Sequence, residues 1–477
     1  MLVVATVGLC ASGCGTADIV FPGNGKTSGI SLAGDSAGGT EASIAAVRSG
    51  SVVGDRSGAA LGSGVVASVT PGVEALLLLG SPGGDGAVAA GSIPPLGSQL
   101  PAGELAMGVA GEALSGLGCS MTTFRGALDH SLLALGACTG GGESAPGAVH
   151  VFPIEHFANS RSIDTSAATR IDGLEAGGRF GASMASGDLD GDGVDDLLIG
   201  APEASDGGGQ VYLLSADGAL DIRDADETLL GPSEGAAAAL GTTLVVPGDV
   251  TGDGHDDAIA CAPGASVGPA EEAGICTIHA GGLSLLRAGG QLSESRYSQI
   301  RGTDAGDLLG AGSRAIVAGD FDGNGRLDVA IGAPGRSLRE GAAGTVAIWF
   351  DDELEGNHTL RDAGVLAAGD GGAGAALAVV PDADGDNADE LLVGSPDHDG
   401  RRGAVSLVTG IGPGVMLLPE DARMTWTGRS ADQRLGATLS FSPRLGEDGL
   451  GRVLAGAPGD DAGGEDAGRV WIFSLYE

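Results

Sequence analysis

The chain has 477 residues, 91 of them glycine, with only 3% aromatic side chains and a formal charge of −39 from 63 acids against 24 bases. That length exceeds one compact core, so several domains or a repeat array is expected, and the charge argues against nucleic acid and anionic membrane surfaces as partners of the bare chain. The glycine follows no three-residue period, which excludes a collagen-like chain. It falls between short apolar runs, as in an all-β chain with many turns.

Residues 1–14 begin with an apolar run, Met1 to Ala11, that lacks the basic residues usual ahead of a secretion signal. Ala11-Ser12-Gly13-Cys14 has the form of a bacterial lipobox with alanine where leucine is usual, which makes Cys14 a lipidation candidate; a plain cleaved signal is the alternative. Residues 15–50 are rich in Gly, Ser and Ala and read as a flexible tether. Lys26 is the single lysine, a bias that suggests a GC-rich bacterial genome. No later segment has the length and apolar continuity of a membrane span.

From Ser51 to Glu477 the chain repeats. Seven apolar runs end alike: LLLLGSP, LLALGAC, DLLIGAP, DAIACAP, DVAIGAP, ELLVGSP and RVLAGAP. Measured from Gly80, Gly136, Gly200, Cys261, Gly332, Gly394 and Gly456, the spacings are 56, 64, 61, 71, 62 and 62 residues, the signature of one supersecondary unit repeated. Each unit opens on an Xaa-Gly step (Leu61, Leu117, Phe180, Leu240, Leu309, Ala373, Leu435) and a first strand. The apolar run is a second strand covered on both sides. A Gly-Xaa-Val head, as at Gly209 or Gly344, starts a third strand that alternates between two unlike faces. A weaker fourth strand follows, as at Ser298 to Gly302 and Met424 to Gly428. The fold expected is all-β: a seven-bladed β-propeller of four-stranded antiparallel blades. The last unit stops after its third strand, and Ser51-Val52-Val53-Gly54 stands ready to complete it and close the ring.

Four units carry oxygen side chains at alternate positions between the first and second strands, the donor spacing of a calcium loop. The third unit has Asp188, Asp190, Asp192 and Asp196, with the Val194 carbonyl at position seven. The fourth has Asp249, Thr251, Asp253 and Asp257, with the His255 carbonyl. The fifth has Asp320, Asp322, Asn324 and Asp328, with the Arg326 carbonyl, and the sixth Asp382, Asp384, Asp386 and Glu390, with the Ala388 carbonyl. Position four is glycine throughout, and position six is Gly193, Gly254, Gly325 or Asn387, residues that accept a left-handed turn. A lone loop of this kind could be a solvated Asp-Gly turn; four in one register imply about four Ca2+ sites. Units one, two and seven lack the alternate carboxylates at 69–75, 123–129 and 442–451.

The Phe-Gly opening, cation loop and Gly-Ala-Pro ending resemble the FG-GAP repeats of integrin alpha-chain propellers, over nearly the whole chain from Ser51. The resemblance implies cation loops on one rim and ligand contact on the other, through loops such as 139–146, 203–208, 264–273, 335–343 and 397–402. Cys119 with Cys138, and Cys261 with Cys276, lie on consecutive strands and are disulfide candidates, with buried free thiols as the alternative. Seven scattered histidines make no zinc spacing, and nucleophile-elbow, Walker and Rossmann motifs are absent, so no enzyme is expected. The reading is therefore an exported, monomeric, calcium-binding module at the cell envelope, possessing an unknown protein or glycan ligand and touching a membrane only through an N-terminal lipid, as in an outer-membrane lipoprotein. A purely structural envelope protein and a polysaccharide hydrolase or lyase using the channel are the rival readings.

Overall fold

The computed structural model describes most of the chain from 116 to 475, leaving out 127–129, 140–144, 155–161, 216–226, 231–237, 283–295, 313, 339–342, 352–353, 443–450 and 463. Ahead of that it describes 16–20, 27–31, 49–53, 61, 64–68, 76–81, 87–91, 99–101 and 107–110. Cys14, the signal segment and the ligand-poor stretch at 69–75 lie outside the described residues.

The apolar runs are the centres of sheets. Asp196–Ala201, Asp257–Ala262, Asp328–Ala333, Glu390–Ser395 and Arg452–Ala457 are buried at every residue. Each lies antiparallel between the first and third strands of its unit; Ile199, for example, faces Met184 on one side and Tyr212 on the other. The third strands were expected to alternate, yet Thr345–Trp349 and Ala404–Val408 are buried throughout. Neighbouring sheets cover both of their faces, and small residues such as Ala347 and Ser406 fit there as well as large ones.

The described strands form seven sheets, six centred on the strands of one unit and one shared between the two ends of the chain. In the shared sheet, Ser49–Val53 lies antiparallel to Arg469–Ser474, with Val52 opposite Val470. The first strands contact one another in chain order, and Thr438–Ser442 meets Gly64–Ser68 to complete the circle. The fold is an all-β β-propeller.

The uniform four-stranded blade is a correction to make, because the sheets hold four, five or six strands. Four sheets gain a parallel strand: Gln99–Pro101 on Ser49–Val53, Ser162–Asp164 on Met107–Ala110, Gly356–Thr359 on Arg296–Arg301, and Gly414–Leu417 on Val365–Ala368. Each comes from the link between the third and fourth strands of the following unit. It covers the outer edge of the sheet before it, where unpaired backbone groups would otherwise stand open. The sixth sheet is extended by an antiparallel hairpin, Thr16–Val20 with Thr27–Ser31, placed by Ile30 opposite Trp426. Part of the segment expected as tether thus carries strand.

Adjacent units meet backbone to backbone. A Cβ on Gly200 would lie 2.2 Å from the Gly241 oxygen of the next unit, and one on Gly332 would lie 1.9 Å from the Gly374 oxygen. The head of the third strand is as tight: a Cβ on Gly209 would reach the Leu240 oxygen at 2.2 Å. The same contact closes the ring, where Leu61 bridges Gly468 and its N–H donates to the Ala467 oxygen at 3.1 Å. In unit four Cys261 replaces the glycine and is disulfide-bonded to Cys276 directly across the ladder; Cys119 and Cys138 form the second disulfide.

Gly332→Ala should destabilise the protein by about 1–3 kcal/mol, the usual range for overpacking. Gly412→Ala, where nothing lies within 4 Å, should leave the denaturation midpoint unchanged. Deleting residues through Gly54 should lower the melting temperature much further than deleting only through Ala42, because both remove the hairpin on Met424–Thr427 but only the first removes the strand paired with Arg469–Ser474. Equal melting curves for the two truncations would show that the strand does not hold the ring.

Candidate metal centres

Four loops link first to second strands in units three to six, and one hydrogen-bond scheme builds them all. The N–H of position six donates to the carboxylate of position one: Gly193 to Asp188 at 3.0 Å, Gly254 to Asp249 at 2.9 Å, Gly325 to Asp320 at 2.7 Å and Asn387 to Asp382 at 3.0 Å. The N–H of position seven (Val194, His255, Arg326, Ala388) donates to the side-chain oxygen of position five at 2.8–3.0 Å. The N–H of position two donates to position nine: Leu189 to Asp196, Val250 to Asp257, Phe321 to Asp328 and Ala383 to Glu390. Such folding needs left-handed backbone at positions four and six. Gly191 and Gly193 have φ of 77° and 90°, and Asn387 takes the same turn at 71°.

Three acids converge in each loop, with one oxygen of each within 4.8 Å of the others: Asp188, Asp190, Asp192; Asp249, Asp253, Asp257; Asp320, Asp322, Asp328; and Asp382, Asp384, Asp386. Position nine therefore divides. Asp257 and Asp328 belong to the clusters, while Asp196 and Glu390 are absent from these groupings; all four accept the backbone N–H of position two. Thr251 turns its hydroxyl to Asp257 Oδ1 at 3.2 Å, and Asn324 Oδ1 accepts the Arg326 N–H.

The arrangement fits a hard cation. Asp188 Oδ1, Asp196 Oδ1 and Asp384 Oδ1 are buried with no hydrogen-bond partner, a state that costs free energy unless a positive charge answers it. Burial, and next the charge of Asp190, push Asp196 up to about 7. Burial likewise raises Asp328 and Glu390 to about 7, and lifts Asp257 and Asp384 above the ordinary carboxylate range. All-oxygen donors on a short loop are the chemistry of calcium or magnesium rather than of a softer metal.

Sequence spacing alone overlooked position eight. Asp256 Oδ2 accepts the N–H of Asp188 in the preceding unit at 3.1 Å, and Asp389 Oδ2 accepts that of Asp320 at 3.0 Å. Asp195 does the same with Arg125 at 2.7 Å. The loops of units three and four, and of five and six, are therefore joined in pairs. Unit five has Leu327 at this position, so no such bond ties four to five. The doublets Asp195-Asp196, Asp256-Asp257 and Asp389-Glu390 were the available signal. Asp351 was also missed; it accepts Asn324 Nδ2 at 2.8 Å and pairs with Arg326 at 2.6 Å.

Fold and loops together define a β-propeller with cation-type loops between its first and second strands. The FG-GAP repeat family profile matches residues 180–214 and 313–349. Integrin alpha-PS2 of Drosophila melanogaster is 32% identical over 172 residues, 34% of this chain and 12% of that protein. Integrin alpha-4 of Xenopus laevis is 35% identical over 170 residues (34% and 15%), and integrin alpha-X of Homo sapiens 33% over 172 (35% and 14%). The aligned stretch thus spans about an eighth to a seventh of these relatives. Among solved structures, a chain of the complex of BBS1N with ARL6DN aligns over 89% of this chain and 93% of its own, at TM-score 0.44 and 11% identity. Two stretches of the chain thus match the FG-GAP repeat, and about a third of it is similar to integrin alpha chains.

Asp256→Ala should weaken cation uptake at two sites together, those of units three and four, by about tenfold, since a hydrogen bond to a charged group contributes about 1.5–3 kcal/mol. Calorimetric titration with calcium checks this. Weakening confined to one site would show the loops to be independent.

Proposed function

We propose that this protein is an exported, non-catalytic binding module whose four cation loops hold Ca2+ and whose opposite rim meets a protein or glycan ligand at the cell surface. The observation that carries the reading is the fourfold repetition of one cation-loop geometry in an FG-GAP propeller. A bound cation neutralises the converging carboxylates and fixes each turn. Asp188, Asp190 and Asp192, with their counterparts in units four to six, are the residues that would hold it.

The rim opposite is a platform of short loops pinned by ion pairs. Arg179 meets Glu203 at 3.3 Å, Arg434 meets Asp397 at 3.3 Å and Arg401 meets Asp432 at 3.1 Å, each joining an opening loop to a loop between second and third strands. Loops held by a rigid sheet are where recognition residues collect. Lipidation at Cys14 would set this platform at the outer membrane, and labelled fatty acid taken up by the wild type but not by Cys14→Ser is the outcome expected.

Calorimetry on chelator-treated protein should register calcium uptake at about four sites, and Asp192→Ala should remove about one. Chelation should lower the melting temperature while the β signal persists, because three units lack the alternate carboxylates. Binding to the native state alone contributes about 2.7 kcal/mol per site at a hundredfold excess over the dissociation constant. A glycan and protein array probed with the calcium-loaded chain should return a ligand that is lost when 397–402 is replaced by a Gly/Ser loop. Turnover of polysaccharide by the purified chain would favour the enzyme reading, and absence of calcium uptake would reduce the loops to acidic turns.

A further inference from the structure

Along the first strands of units two to five the ring surrounds a cavity of about 300 Å3. Its wall includes Ser120, Ser183 and Thr243 and the half-buried Val246 and Val317. The three hydroxyls donate to carbonyls of the next units, Gly181, Gly241 and Gly310, each at 2.6 Å. Their protons are committed to holding units together, and only lone pairs remain for the cavity.

Arg314 stands on the same wall, just ahead of Ile316–Gly319. Its backbone is fixed by unit six, where it bridges Ala376 and accepts the Leu377 N–H at 2.8 Å. The side chain is open to the solvent of the cavity yet surrounded by protein, and this desolvation holds its pKa below the ordinary value for arginine. No described carboxylate forms an ion pair with it. None of the seven first strands contains an Asp or Glu, and their one other arginine, Arg125, is paired with Asp195 at the far end. In a chain of charge −39, an arginine inside the ring with no acid partner among the described residues stands out.

We propose that this cavity binds a small organic acid, with its carboxylate against Arg314 and its apolar body against Val246 and Val317. A guanidinium recognises a carboxylate through two parallel hydrogen bonds, which gain strength in a site of low polarity. The volume lies at the small end for ligand pockets, so a short monocarboxylic acid suits it better than a polymer. The site is independent of the cation loops and of the ligand proposed for the rim.

The test uses the full calcium-loaded chain, with butyrate and benzoate as probes, butyramide as the neutral analogue and inorganic phosphate as the second anion. Calorimetry should show one carboxylate bound per chain, no uptake of butyramide, and affinity at least tenfold weaker in Arg314→Met. Arg314→Lys should retain a weaker measurable affinity, since the charge stays and the fork is lost. Ligand-free Arg314→Met should melt no lower than the wild type, because an unpartnered guanidinium contributes no ion pair, and added carboxylate should raise the melting temperature of the wild type alone. Unchanged affinity in Arg314→Met, no uptake of either carboxylate, or uptake of phosphate alone would each overturn the proposal.

Discussion

The contact on which the structure depends is the approach of one unit's backbone to the next, with no room for a side chain between them. Gly200 against Gly241, Gly332 against Gly374 and Gly209 against Leu240 are instances of one joint repeated around the ring. The joint explains why glycine is abundant where the chain is otherwise apolar and poor in aromatics. Sheets that meet through backbone need small residues there, and the alanines and valines of the second and third strands fill what remains. It also sets the spacing of the loops, because each unit is held at both strand ends by its neighbours.

On one rim this rigidity becomes a chemical device. The carboxylates of each loop are oriented by N–H groups from the loop itself, while the adjacent unit fixes position one through Asp256 or Asp389. The fold itself therefore gathers the acid groups, and burial raises Asp196, Asp328 and Glu390 to about 7. On the other rim, arginine and carboxylate side chains answer one another across loops, and Arg314 is the exception inside the ring.

What the sequence disclosed depended on whether the cause was local. The turn at Asn387 was legible because a left-handed residue is needed at that position and few residues accept it. The second strands were legible from their unbroken apolar character, and the strand at Ser49–Val53 because the last unit lacked one of its own. The parallel strands such as Ser162–Asp164 and Gly414–Leu417 were not: three or four residues pairing with a different unit leave no periodic trace. The burial of Thr345–Trp349 on both faces came from neighbours rather than from its own pattern. Position eight was overlooked because its partner lies 68 or 69 residues away, in another loop. Arg314 belongs to no repeated position, so no comparison among units could single it out.

The strand at Ser49–Val53 also gives the molecule a mechanical character. Once the hairpin of Thr16–Val20 and Thr27–Ser31 has parted from Met424–Thr427, a pull on the chain ahead of Ser49 enters the ring through this strand, which is gripped by Arg469–Ser474 on one side and by Gln99–Pro101 on the other. Tension directed along the strand loads both ladders in shear, so their hydrogen bonds share the force and yield together. A pull across the sheet would instead open them one at a time. The ring should thus tolerate traction from its N-terminal side in one direction far better than in the other, and the two ladders act as its tensile coupling.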